Sequence, residues 1–201
     1  MRSRININET AEYHEHNLYV PTRTIYFGGH IESCEGESDV VDSRTVSVLI
    51  KNLHILETKA VAPINIILNT PGGAWDSGIA VYDMIRTLKS EVSILGFGQL
   101  CSMGSIILQA GRNRVLLPHT TVMIHDGTDG YYGNAKSYEN WAEHSKAIRK
   151  QMYEIYYERM KVKNPNITLK QIENMCSHDT IFSAEEAVEN GLADELIQYV
   201  K

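Results

Sequence analysis

Between positions 92 and 110 the chain passes from one apolar segment to another through Gly96-Phe97-Gly98-Gln99-Leu100-Cys101-Ser102-Met103-Gly104. The run before this junction (92–97) reads as a strand, and the run after it (103–110) as a helix. A buried strand that turns directly into a buried helix belongs to a layered α/β domain. The junction also sets Ser102 between glycines at the first turn of a helix. Backbone N–H groups there lack intrahelical partners, and the helix dipole is positive. A serine so placed is approachable, and an oxyanion formed beside it would meet ready donors. An N-cap serine that merely starts the helix needs the same residues. The junction alone leaves both readings open.

Strand and helix patterns alternate along the rest of the chain. Strands are expected at 24–27, 64–68, 92–97, 114–116 and 121–124. Helices are expected at 43–57, with Val46, Leu49, Ile50, Leu53 and Leu56 on one face, and at 77–89, with Ile79, Tyr82, Ile85 and Leu88 inward. Short connections between such units predict helices covering a largely parallel sheet. A longer helix follows a glycine-rich, aromatic stretch at 127–133, and carries Tyr138, Trp141, Ile148, Met152 and Ile155 at three- and four-residue steps. That stripe is longer than the cover of one small core requires, although a long core helix would show it too.

Three residues have the chemistry of a serine-hydrolase triad. Ser102 would need a base, and Val122-Met123-Ile124-His125 is an apolar strand ending in histidine. Asp179 stands just before Thr180-Ile181-Phe182-Ser183 and could orient the imidazole and stabilise its cation. A structural histidine at a strand end and a loop aspartate are the plainer readings. Pro71-Gly72-Gly73 ends another apolar run, and glycines without Cβ let backbone N–H groups approach a substrate, although a tight turn uses the same residues. Cys101 invites a thiol nucleophile, but a cysteine beside a nucleophile points elsewhere, and packing is its usual role. His14 and His16 have a strand-borne metal spacing with no further ligand nearby, so no metal site is expected. His178 adjoins Asp179 and would point away from it. Ser183 and Glu186 read as a helix capping box.

Composition narrows the classes. The 201 residues, 43% hydrophobic, suit one domain with a full core, taken as 1–201. A net charge of −6 argues against a general nucleic-acid or membrane-surface binder. There is no apolar run of membrane-spanning length, and the polar start at Met1–Asn8 has no signal-peptide pattern, so a cytoplasmic location is expected. Three cysteines, Cys34, Cys101 and Cys176, without close spacing suit a reducing compartment.

Taken together, four segments in order resemble the proteolytic subunit of the ATP-dependent Clp protease. They are Leu68-Asn69-Thr70-Pro71-Gly72-Gly73, then Gly98 to Gly104, then Pro118 with Val122-Met123-Ile124-His125, and finally Asp179 to Ala187 with Gly191-Leu192-Ala193-Asp194. The resemblance covers the chain from about Arg23 onward. It implies a crotonase-like superhelical fold with a protruding handle, strand plus helix, at 127–163. It implies that Ser102 is the nucleophile, His125 the base and Asp179 the orienting acid, with the N–H groups of Gly73 and Met103 as oxyanion hole. It further implies a homo-oligomer of two stacked heptameric rings enclosing the sites, unfolded polypeptides as substrates, and an AAA+ unfoldase as partner. ATP would be used by that partner, and no cofactor is expected in this subunit.

The chain departs from the family pattern in three places. His125 is followed by Asp126-Gly127, where the family commonly has proline two residues after the histidine. Residues 1–22 form a divergent N-terminal segment. The strand before Pro71 offers Asn65 and Ile67 where the family places aromatic residues that help to dock its unfoldase. Two other functions stay open at this point: a non-catalytic ring subunit, against which the three triad residue types argue, and a crotonase-type acyl-CoA enzyme, which would rely on carboxylates in place of a nucleophilic serine.

Overall fold

Ile64, Ile66 and Leu68 alternate along the sequence and are fully buried, so the strand they form must lie inside a sheet. The structure, a computed structural model, describes residues 7–28, 43–128 and 130–199. Cys34 and residues 29–42 lie outside the described residues, as do 1–6, 129, 200 and 201. Chain order is α1 (Ile7–His16), β1 (Leu18–Tyr19), a 3-10 turn (Val20–Thr22), β2 (Thr24–Gly28), α2 (Ser43–Lys59), β3 (Ile64–Thr70) and α3 (Trp75–Thr87). There follow β4 (Val92–Cys101), α4 (Met103–Ala110), β5 (Asn113–Leu116), β6 (Thr121–Ile124), α5 (Ala135–Lys163), α6 (Leu169–Cys176), β7 (Thr180–Phe182), α7 (Ala184–Glu189) and β8 (Glu195–Leu196).

The described strands form one mixed sheet in the order β1-β2-β3-β4-β5-β8, with β6 and β7 branching from the far end of β4. The parallel pairs are β2–β3, β3–β4, β4–β5, β4–β6 and β5–β8. β1–β2 and β6–β7 are antiparallel. The expected α/β class is therefore correct, and the sheet is mixed, with antiparallel pairs at its margins. The centre of the core is α4, every residue of which is buried, its two polar side chains, Ser105 and Gln109, being hydrogen-bonded inside.

Local chemistry explains several boundaries. Arg23, at φ 52°, donates to the carbonyls of Leu56, Ala60, Ala62 and Pro63, closing the end of α2 and the loop after it onto β2. Thr168 and Gln171 cap each other at the start of α6. Ser183 and Glu186 do the same for α7, as expected. The end of the chain is clamped by Arg114, whose buried guanidinium pairs with Asp194 and donates to Gln109 Oε1 and the Gly191 carbonyl.

Some expectations need correction. Helix α3 starts two residues early, at Trp75, and its buried positions are Gly78, Val81 and Ile85, with Ile79 only half-buried. His14 and His16 lie on α1, a helix. Two positions on a helix are about 200° apart, so their side chains diverge and cannot form the strand-type pair. Among the described residues of 127–134 no strand is present. The long helix expected after that segment runs 29 residues, Ala135–Lys163. Its stripe is split: Tyr138 and Trp141 are exposed, whereas Met152, Tyr156 and Met160 are buried. No helix among the described residues is long and apolar enough to cross a membrane.

Candidate active site

The strand ladder itself brings the three triad candidates together. β6 runs beside the far end of β4, pairing Gln99 with Thr121, Leu100 with Val122 and Cys101 with Met123. Ser102, the residue after β4, donates its N–H to the Met123 carbonyl at 2.9 Å. β7 pairs antiparallel with β6, with Ile124 opposite Thr180. One further step along both strands sets His125 opposite Asp179.

The side chains complete what the backbone begins. His125 Nε2 lies 2.9 Å from Ser102 Oγ, and His125 Nδ1 lies 2.9 Å from Asp179 Oδ1. A carboxylate can only accept, so Nδ1 carries the ring proton and Nε2 is left to accept from the serine hydroxyl. The imidazole is 24% exposed and the carboxylate 66%, so the ring is partly accessible while the carboxylate faces solvent. Ser102 is not a helix-capping serine: its side chain makes no cap hydrogen bond to α4. Its backbone sits at φ 53°, ψ −123°, a conformation that L-residues rarely adopt and that costs on the order of 1–3 kcal/mol. That turn frees the hydroxyl to reach His125.

The Pro71-Gly72-Gly73 turn packs against this corner. Thr70 Oγ1 accepts from Gly72 N–H at 3.2 Å, and Gly72 and Gly73 take φ of 105° and 148°. A Cβ on Gly72 would lie 2.6 Å from Ser102 Cβ, 2.7 Å from the Cys101 carbonyl and 3.0 Å from Met103 N. Met103 is the first residue of α4, so its N–H has no partner within the helix. The turn and the helix start thus sit on either side of the serine. Gly72→Ala must carry both the left-handed φ and this overlap. It is expected to slow fluorophosphonate capture by Ser102 about 100-fold, and circular dichroism should show the helices intact. A wild-type capture rate would contradict the close packing of this turn.

Other candidates fall away from the site. Burial pushes the Cys101 thiol up, with the Asp179 charge adding to it, and Cys101 Sγ donates to Gln99 Oε1 at 4.0 Å. His178 contacts Ser177 and Thr180 hydroxyls at 3.3 Å and takes no part in the triad. The groups that could hold a metal need three or more ligating side chains together, and the described residues offer no such cluster.

The sequence patterns did not disclose the polar network beneath α4. Ser105 Oγ donates to the Ser102 carbonyl and meets the hydroxyl of the fully buried Tyr156, each at 2.7 Å. Gln109 then links the Ser105 carbonyl to that of Leu192 and receives Arg114. These partners are 3 to 83 residues apart, and the long-range ones, Tyr156 and Leu192, are marked by no local pattern. Asn69 could have been noticed from its place in the glycine-proline motif: its Oδ1 accepts from Gln99 N–H and stands 2.8 Å from where a Cβ on Gly98 would be. Beside the Pro71–Gly73 turn, a groove of about 640 Å³ runs between the start of α3 (Ala74, Trp75, Asp76) and the first half of α5 (Tyr138, Trp141, Ser145).

The register, the strained serine and the glycine turn meet at one corner of the sheet, and a family comparison agrees with them. Residues 36–200 match the family model described as Clp protease. Since that match spans well over half of the sequence, the chain belongs to the Clp protease family.

Proposed function

We propose that the protein is a serine endopeptidase that hydrolyses peptide bonds of unfolded polypeptides. The observation that carries this reading is a single imidazole within 2.9 Å of both Ser102 Oγ and Asp179 Oδ1. In the proposed reaction His125 Nε2 takes the proton from Ser102 as Oγ attacks the scissile carbonyl. The N–H groups of Gly73 and Met103 receive the oxyanion, and Asp179 stabilises the imidazolium. Collapse of the adduct breaks the C–N bond. His125 returns the proton to the leaving amine, and water, activated by the same histidine, then releases the acyl group from Ser102. The groove between α3 and α5 would receive the extended substrate chain leading to Gly73.

The wider setting is part of the same proposal. The chain would form one crotonase-like unit over 1–201, with α5 as a handle between two stacked heptameric rings. The exposed Tyr138 and Trp141 on α5 support an apolar contact there. An AAA+ unfoldase would thread substrate into the enclosed space, in the cytoplasm, and the subunit itself would need no cofactor. Enclosure explains how an unselective nucleophile would spare folded proteins.

Treatment of the assembled protein with a fluorophosphonate, followed by peptide mass spectrometry, tests the chemistry. One adduct on Ser102, absent from His125→Ala, is the expected result. No adduct on an assembled wild-type protein would remove the nucleophile and with it the peptidase reading.

A further inference from the structure

The base is held from behind as well as from its two triad partners. Before His125, the pairing of Ile124 with Thr180 fixes the backbone. After it the ladder ends, and the next residue but one, Gly127, sits at φ 73°, a conformation closed to proline and free of the restraint a side chain would add. Only Asp126 stands between the base and that glycine, and it is tied twice. Its N–H donates to the Cys176 carbonyl at the end of α6, at 2.6 Å, and its Oδ1 accepts from the Tyr153 hydroxyl on α5, at 2.7 Å. Tyr153 stands three residues before Tyr156, whose hydroxyl reaches Ser105 and so the Ser102 carbonyl. One face of α5 therefore braces the backbone of both the base and the nucleophile.

We propose that Tyr153 is a positioning residue for His125: by donating to the Asp126 carboxylate it fixes the chain after the base and keeps the imidazole between Ser102 and Asp179. This rests on the proposal that Ser102 is the nucleophile. Burial, with the Asp126 hydrogen bond adding to it, pushes the Tyr153 phenol far above its usual range, so it stays a donor wherever the protein is folded. Nearly all of the phenol's volume is retained in phenylalanine, so Tyr153→Phe removes the tether and little else.

The test measures fluorophosphonate capture and small-peptide hydrolysis in assembled wild type, Tyr153→Phe, Asp126→Ala, Asp126→Asn and the Tyr153→Phe/Asp126→Ala pair. Tyr157→Phe on the same helix serves as control, with sedimentation and thermal melts alongside. A displaced base should lower kcat about tenfold at unchanged KM. Asp126→Ala should match Tyr153→Phe, and the pair should lose no more than either alone. Asp126→Asn, whose amide oxygen still accepts from the phenol, should recover most of the loss. Wild-type capture at full rate by Tyr153→Phe overturns the inference, as do losses that multiply in the pair. If Tyr153→Phe fails to assemble, equal activity of Asp126→Ala and Asp126→Asn overturns it on its own. A wild type that captures no probe overturns the peptidase reading and this inference together, which separates the two failures.

Discussion

Ser102→Ala and His125→Ala are each expected to lower peptide hydrolysis by about a million-fold, and the double variant by no more than either one. The two atoms act as a unit: a hydroxyl without a base is a poor nucleophile, and a base without a hydroxyl has nothing to deprotonate. Asp179→Asn should cost less, on the order of 10,000-fold. Its carboxylate is 66% exposed, so water can solvate part of the imidazolium in its absence. Assembly and melting temperature should be unchanged in all of these, because the side chains lie at a corner outside the core. Hydrolysis by Ser102→Ala within tenfold of wild type would place the nucleophile elsewhere and refute the triad.

The second large effect is on stability. The Arg114 side chain is only 6% exposed, and its charge is answered by Asp194 through bonds to Arg114 Nε, to a terminal guanidinium nitrogen and to the backbone N–H. Asp194→Ala leaves that guanidinium buried with carbonyls and Gln109 alone, and is expected to cost about 3 kcal/mol. For a chain of this length that corresponds to a melting temperature lower by roughly 6–12 °C. Burial by itself would raise the Asp194 carboxyl, but the Arg114 hydrogen bonds and charge outweigh it and hold it below its ordinary value. A carboxyl depressed in the folded state stabilises fully above its unfolded value, about 3.9, and loses that contribution as pH falls through the folded one. The gap between wild type and Asp194→Ala should therefore be constant near neutrality and narrow below about pH 4. A gap that widens in acid would show that the ion pair is not its source.

What could be read from the sequence followed from strength of pattern. The α2 face from Val46 to Leu56 and the alternating β3 were plain because each has many residues at one period and a single buried side. α1 was not, since its ten residues are mostly polar and offer no apolar stripe at helical spacing. α6 carried a readable signal, the Thr168–Gln171 capping box, that the apolar pattern overshadowed. In α3 the face that packs inward carries Gly78, Val81 and Ile85, and Ile79 lies beside it, a choice made by packing against the neighbouring elements. At the site, Ser102, His125 and Asp179 could be named from motifs, whereas Tyr153, Ser105 and Tyr156 could not. Their partners are set by how α5 crosses α4 and β6, which is a property of packing and not of spacing.

The ladder that seats the triad also makes it a clock for folding. His125 and Asp179 are 54 residues apart and meet only through the β6–β7 pairing, while Ser102 reaches His125 only through β4–β6. A one-residue slip in β6 would turn His125 to the opposite face of the sheet. A growing chain whose last quarter has not yet folded would thus hold a serine and a histidine with no carboxylate behind them. Full reactivity should appear only as the late strands settle into register, so a half-made subunit reacts far more slowly, and the rise of probe labelling during refolding would time the closing of the topology.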